Sequence, residues 1–117
     1  MAMEYEEPTP IERTEAEVEL ASGDSDRISV ALLRLTLHDD DPKWLEATLL
    51  PYLQHEQAWV RGVAAMCLGY VARLHGTLDL DVVIPAIREL LDDETRETRG
   101  KAEDALDDIE IFMLRKA

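Results

Sequence analysis

Apolar residues recur at intervals of three and four along most of this chain, and short polar segments separate the apolar stretches. This spacing places apolar side chains on one face of a helix, and no segment shows the period-two alternation of a half-buried strand. The pattern therefore predicts an all-α protein with six helices. Because the connections between the helices are short, we expect three antiparallel helical hairpins.

Residues that favour helix ends indicate where the predicted helices begin and end. The first helix is expected to end at Gly23 and the fourth at Gly76, and Asp24 is expected to cap the second. Pro51 should bend or terminate the third helix, and Pro85 is tolerable only near the first turns of the fifth. The predicted helices run from about residue 11 to 21, 24 to 38, 42 to 53, 57 to 74, 79 to 91 and 95 to 114.

The chain divides into a short tail and one domain. Residues 1–10 are polar and contain two prolines, so we expect a flexible acidic N-terminal tail. The remaining residues, 11–117, are enough for a single hydrophobic core and are expected to form one helical repeat domain.

Part of the fourth helix recurs in the sixth at an offset of 38 residues. The matching pairs are Arg61 with Arg99, Gly62 with Gly100, Ala64 with Ala102, and Leu68 with Leu106. Such recurrence is typical of stacked helical units. The small residues are expected to let neighbouring helices approach closely, and the two arginines to reach an acidic side chain or a carbonyl in an adjacent turn.

The order Val60-Arg61, Ala64-Ala65, Leu68-Gly69 after a polar break resembles the second helix of a HEAT repeat. The resemblance is close over 43–76, looser over 79–114 and weak over 11–41. It implies a short armadillo-like α-solenoid, a right-handed superhelix of about three hairpins. Some small bacterial proteins similar to this one are immunity proteins that neutralise a toxin, often a basic nuclease, so the resemblance also implies that possibility.

The charge of the chain changes what partners we expect. The formal net charge is −14 and the isoelectric point is near 4.4, which disfavours direct binding of nucleic acid or anionic lipid and favours a cationic partner. The charge is uneven, with net −9 over 1–41, +1 over 42–78 and −6 over 79–117.

Residue patterns of enzymes and metal sites are missing from the sequence. We find no glycine-rich phosphate loop, no nucleophile elbow and no cysteine–histidine spacing for zinc, so we expect no enzyme activity, cofactor or metal. The three histidines fall at predicted helix ends or turns, and the run Asp39-Asp40-Asp41 is interpreted as a turn and cap. Cys67 is interpreted as a buried packing residue.

The same sequence predicts a cytoplasmic protein. A single cysteine excludes an internal disulfide and is typical of a reducing compartment. The start of the chain lacks the pattern of a signal peptide, and no apolar run approaches the roughly 20 residues that span a bilayer.

Two surfaces are candidates for partner binding. On the fourth helix, Trp59, Met66, Tyr70 and Arg73 share one face with Gly62. Two interpretations remain open for this face: the helix is central and buried on both sides, or the face is an exposed binding patch that Trp44 extends.

The second candidate surface is acidic and lies on the last helix. Glu103 with Asp107, and Asp104 with Asp108, are like-charge pairs four residues apart, each costing roughly 0.2–0.5 kcal/mol. Glu97 joins them, since it occupies the position equivalent to Trp59. The cluster either keeps the end of the solenoid soluble or attracts a basic partner.

Taken together, the residues favour a non-enzymatic protein-binding module that is monomeric when free. Its expected partner is a basic protein, with a toxin or nuclease as the specific candidate. The alternatives are a HEAT-like lyase or enzyme subunit, and a fragment of a structural scaffold.

Overall fold

A computed structural model of the protein describes residues 8–115, and all regular secondary structure within that range is helical. The six α-helices are α1 (Arg13–Leu20), α2 (Ser25–His38), α3 (Pro42–Leu49), α4 (Ala58–His75), α5 (Leu80–Glu89) and α6 (Arg96–Ile109). Short 3-10 turns follow α3 (Leu50–Gln54) and α5 (Leu90–Asp92), and a π-helical turn (Glu110–Leu114) extends α6. The predicted all-α fold class is confirmed.

The helices pair in chain order into three hairpins, α1 with α2, α3 with α4, and α5 with α6. The second helices of the hairpins pack side by side, with α4 between α2 and α6. A helix that is covered on both sides must be apolar around most of its circumference, and α4 contributes ten buried residues. The predicted stack of three helical hairpins is confirmed.

Helix ends follow the predicted caps, with shifts of a few residues. The Asp24 carboxylate accepts the N–H of Arg27 at 3.0 Å, and Gly76 ends α4 with a left-handed φ of 64°. The third helix is shorter than predicted because Pro51, which has no N–H to donate, lies where the α-helix gives way to a 3-10 turn. The fifth and sixth predicted helices likewise end in the turns 90–92 and 110–114.

The predicted tail, 1–10, falls mostly outside the described residues. Its last three residues lie along α2, where two side chains hold their carbonyl groups. Arg34 donates to the carbonyl oxygens of Thr9 at 2.9 Å and Pro10 at 2.8 Å. The His38 ring lies 2.7 Å from the carbonyl oxygen of Pro8.

The single cysteine lies in the core between α4 and α2. Cys67 is fully buried beside Thr36, and burial raises the pKa of its thiol to about 12. A thiol with this pKa stays protonated near neutral pH and is a poor nucleophile. The predicted packing role of Cys67 is confirmed.

Two glycines allow α4 and α6 to approach closely. A Cβ atom at Gly62 would lie 3.0 Å from the Lys101 side chain and 3.4 Å from the Thr98 backbone. A Cβ atom at Gly69 would lie 3.0 Å from Cα of Ala105. The buried Thr98 hydroxyl also donates to the carbonyl oxygen of Ala58 at 2.8 Å, so a polar contact fixes the two helices against each other.

A buried arginine links the second hairpin to the third. The Arg61 guanidinium donates to both carboxylate oxygens of Asp93, at 2.8 and 3.2 Å. It also donates to the carbonyl oxygens of His55 and Glu56, at 2.8 and 3.2 Å. Its counterpart Arg99 donates to the carbonyl oxygen of Asp93 at 2.7 Å. Both arginines therefore have the predicted structural role.

The Arg61–Asp93 ion pair is shielded from water. The side chain of Arg61 is 15% exposed and that of Asp93 is 7% exposed. The hydrogen bond from Arg61 lowers the pKa of the Asp93 carboxyl, and the backbone N–H of Thr95 adds to this, while desolvation opposes it. The folded state therefore favours the charged carboxylate.

We expect the Gly69→Ala substitution to destabilise the protein although alanine favours helices. The added methyl would press on the α6 backbone, so the free energy of unfolding should fall by about 1–2 kcal/mol. At Gly100, the counterpart of Gly62, a Cβ would meet no atom within 4 Å. Gly100→Ala should raise the free energy of unfolding by up to about 1 kcal/mol. Urea denaturation followed by circular dichroism measures both; equal changes of the same sign would contradict the close contact.

We expect Asp93→Asn to lower the free energy of unfolding by about 2 kcal/mol at neutral pH, because a charge-assisted contact of Arg61 is lost. Since the folded pKa of Asp93 lies below the unfolded value of about 3.9, its contribution is present above pH 3.9 and is lost as pH falls through the folded pKa. The difference between wild type and variant should therefore shrink at acid pH. Urea denaturation at several pH values tests this, and a difference independent of pH would refute the assignment.

Candidate partner-binding site

The residues predicted to share one face of α4 form a narrow exposed line between α2 and α6. We call Trp59, Met66, Tyr70 and Arg73 the α4 stripe. Trp59 is 48% exposed, Met66 and Tyr70 are half-buried, and Arg73 is exposed. Gly62, which shares this face, is instead buried beneath α6. Each of the two open interpretations therefore holds in part: neighbouring helices cover both sides of α4, and its outer edge faces solvent.

Cationic side chains lie over both aromatic rings of the α4 stripe. The Lys101 ammonium, from α6, is 4.3 Å from the centre of the Trp59 ring. The Arg73 guanidinium is 6.0 Å from the centre of the Tyr70 ring. Cation–π contacts of this kind favour one orientation of an exposed ring and contribute about 0.5–1 kcal/mol at such sites. Trp59 is thus an aromatic side chain at the surface with a cationic neighbour.

The predicted acidic residues of α6 all reach solvent to some extent. We call Glu97, Glu103, Asp104, Asp107 and Asp108 the α6 carboxylates; the first four are exposed and Asp108 is half-buried. Within residues 8–115, none of the five forms an ion pair. Their mutual repulsion is therefore not relieved by salt bridges inside the described part of the chain.

The α6 carboxylates divide between two adjoining faces of the helix. Glu97, Asp104 and Asp108 share a face with Lys101 and border the α4 stripe, because Lys101 covers Trp59 and a Cβ at Gly69 would lie 3.1 Å from Asp108 Oδ2. Glu103 and Asp107 lie on the next face, which turns away from α4. The α4 stripe and part of the acidic cluster thus form one continuous surface.

Trp44 does not extend this surface. Its ring lies under the Arg13 guanidinium, 3.9 Å from the ring centre, and Arg13 also binds Asp39 through two contacts of 2.9 Å. The Glu46 carboxylate of α3 accepts the N–H of Asp79, shortly after α4, at 2.7 Å, which places α3 and this group near the end of α4. Trp59 is at the beginning of the same helix, about 24 Å away by helical rise. A binding role for Trp44 stays a separate prediction.

The aspartate run after α2 is used as a turn and a cap. Asp41 accepts the N–H of Trp44 at 3.1 Å, and the hydrogen bond from Arg13 lowers the pKa of Asp39. Among residues 8–115 there is no group of three or more histidine, cysteine or acidic side chains arranged to hold a metal ion. In the same range, no helix is long and apolar enough to cross a membrane.

Sequence reasoning missed two residues that organise this surface. Asp93 is the acidic partner of Arg61, and its position is the counterpart of His55 at the same offset of 38 residues. Lys101 has no role in the repeat pattern, whereas the structure places it over Trp59. Extending the repeat alignment into the loops would have identified Asp93, but the contact of Lys101 depends on the close approach of α4 and α6.

Comparison with known proteins finds a similar solved structure. No protein-family model matches the chain, and no curated protein matches it significantly. Among solved structures, a chain in the crystal structure of a CDI complex from Cupriavidus taiwanensis matches with a TM-score of 0.80 and 31% sequence identity. The match covers 95% of this chain and 98% of that one. Since no family model matches, the resemblance to HEAT repeats stays a prediction.

Proposed function

We propose that this chain, which belongs to the same protein family as the matched chain of the CDI complex, is an immunity protein that binds a toxin and neutralises it. CDI stands for contact-dependent inhibition, a system of toxin and immunity proteins. The observation that carries the proposal is the match along nearly the full length of both chains. The strong negative charge favours the immunity role, because an acidic protein suits the capture of a basic toxin.

The proposed binding surface combines the α4 stripe with the neighbouring α6 carboxylates. Trp59 supplies an exposed aromatic ring beside Lys101, and such a ring contributes a large contact area with few rotatable bonds. Asp104 and Asp108 supply negative charge further along α6, with Asp108 next to Gly69. Aromatic side chains of this kind are frequent at the centres of protein interfaces, and the surrounding charge speeds encounter with a partner of opposite sign.

Neutralisation in this proposal is physical occlusion rather than catalysis. A toxin that acts on nucleic acid holds its substrate through basic side chains, because the phosphate backbone dominates affinity. An acidic surface that covers those side chains competes directly with the substrate. The partner is thus proposed to be a basic toxin, and the immunity protein needs no reaction of its own.

Growth assays test the proposed function. Each gene adjacent to the one encoding this chain is expressed from an inducible promoter, with and without this chain. We expect one neighbouring product to stop growth and this chain to restore it through a stable complex. If no neighbouring product is toxic, or if none of the toxic ones is suppressed, the immunity role is wrong.

We expect Trp59→Ala to weaken binding of that toxin by about 2 kcal/mol, roughly thirtyfold, while the melting temperature changes little because the ring is half exposed. Val18→Ala is the matched control, since Val18 is an exposed apolar residue on α1. Calorimetric titration of both variants measures the effect. A Trp59→Ala variant that binds as tightly as the control would remove Trp59 from the site.

Electrostatic capture also predicts a dependence on salt. The association rate should fall steeply between low and physiological ionic strength, because screening shortens the range of the attraction. Replacing Asp104 and Asp108 by asparagine should reduce that dependence. Stopped-flow association at several salt concentrations checks this; a rate insensitive to salt would contradict a role for the carboxylates in capture.

A further inference from the structure

The outer face of α6, which turns away from α4 at the end of the helical stack, has no packing partner among residues 8–115. Gly100, Glu103, Asp107 and Glu110 follow one another at intervals of three and four, so they lie on this face. The three acidic residues are exposed, and a Cβ at Gly100 would meet no atom within 4 Å. We call these four residues the α6 end face.

The internal repeat shows what the equivalent face does one unit earlier. At the offset of 38 residues, the α6 end face corresponds to Gly62, Ala65, Gly69 and Ala72 of α4. All four of those residues are buried, and the two glycines are where α6 packs closely against α4. The α6 end face thus retains one glycine of a helix-packing surface, whereas three carboxylates replace the other small residues.

The repeated arginine also contacts the carboxylate of a following unit in one copy and lacks that contact in the other. Arg61 donates to the carboxylate of Asp93, which belongs to the following unit. Arg99 makes the equivalent contact to a carbonyl of its own unit, but within residues 8–115 it has no carboxylate partner. Arg99 is half-buried at the edge of the α6 end face and can receive a carboxylate from outside.

We propose that the α6 end face is the docking surface for one basic helix of the toxin, which packs against Gly100 as α6 packs against Gly62. The proposal rests on the proposed function for the identity of the partner. Lysine or arginine side chains of that helix pair with Glu103 and Asp107, and a carboxylate at its start reaches Arg99. The partner helix then occupies the place of a fourth unit in the stack.

Charge complementarity selects this occupant over a second copy of the chain. Two end faces packed together would bring Glu103, Asp107 and Glu110 of each copy against the same carboxylates, and like charges in contact cost several kcal/mol. Of these three, only Glu110 forms an ion pair in the described range, with Arg115 at 3.5 Å, and both side chains are exposed. A helix that is basic along one side would instead pair its cationic side chains with these carboxylates.

A groove beside the α6 end face suits the same helix. The groove, about 420 Å³, lies between α5 and the end of α6, and its apolar lining is Ile84, Leu106, Ile109 and Leu114. Its charged lining holds both signs, with Asp107 and Glu110 on the side of the α6 end face and Arg88 and Arg115 beside them. A side chain from the docked helix enters this groove while its basic neighbours meet the two carboxylates, so the surface combines apolar burial with charge.

A Gly100→Leu variant separates helix packing from charge attraction, because it adds bulk without changing the net charge. The variant is expected to fold with a melting temperature at or above that of wild type, since a Cβ at this position meets no atom within 4 Å and leucine favours helices more than glycine. Its affinity for the toxin identified by growth rescue should fall at least tenfold. Ala47→Leu, at an exposed position on α3, is the control and should bind as wild type.

A second probe makes the test independent of the toxin. A lysine- and alanine-rich helical peptide, labelled with fluorescein, should bind wild type at low salt and bind Gly100→Leu at least tenfold more weakly, while Ala47→Leu is unaffected. If the toxin or the peptide binds Gly100→Leu as tightly as wild type, the proposed docking surface is wrong, but the immunity role is unaffected. If growth is not rescued, the immunity role is wrong, and the peptide measurement still tests the docking surface.

Discussion

The close packing of α4 against α6 is the constraint on which the other parts of the structure depend. Gly62 and Gly69 remove the side chains that would hold the two helices apart, and Thr98 and Asp93 then fix α6 in register with α4. Because the helices are this close, Lys101 reaches the Trp59 ring and the Asp108 carboxylate lies against α4. The aromatic and acidic parts of the proposed site are neighbours for the same reason.

Much of the architecture could be predicted from periodicity and small residues. The repeated Arg-Gly-x-Ala order identifies the second helices of two hairpins, and Asp24 and Gly76 mark helix ends correctly, because each of these signals depends on local chemistry. The burial of Cys67 followed in the same way from its small, apolar neighbours in sequence.

The arrangement of the site could be predicted less well from the sequence than the fold. Trp44 and Trp59 are only 15 positions apart in the chain, yet α3 and α4 are antiparallel, which puts one ring at each end of α4. Whether Trp59 is core or surface depends on how α2 and α6 flank α4, and no local pattern contains that information. The resemblance to HEAT repeats predicts how the helices stack, but it does not predict which face binds a partner.

The α6 carboxylates repel one another in the free protein, and we propose that a complex relieves this repulsion. Within the described residues none of the five carboxylates is paired, so repulsion opposes the helix that carries them. The Arg61–Asp93 pair and the buried contacts of Thr98 anchor that helix at its beginning, near where the acidic stretch starts. A surface under electrostatic strain is relieved by a cationic partner, which makes the release of repulsion part of the binding free energy.

The carbonyl contacts at the other end of the stack have a consequence for assembly. Arg34 and His38 lie two residues on either side of Thr36, which faces Cys67 of α4, so they point to the opposite side of α2. Residues 8–10 occupy that side. Solenoids whose two ends are both open can join head to tail and grow into filaments. Here a second copy that added at this end would meet residues 8–10 before it reached α2.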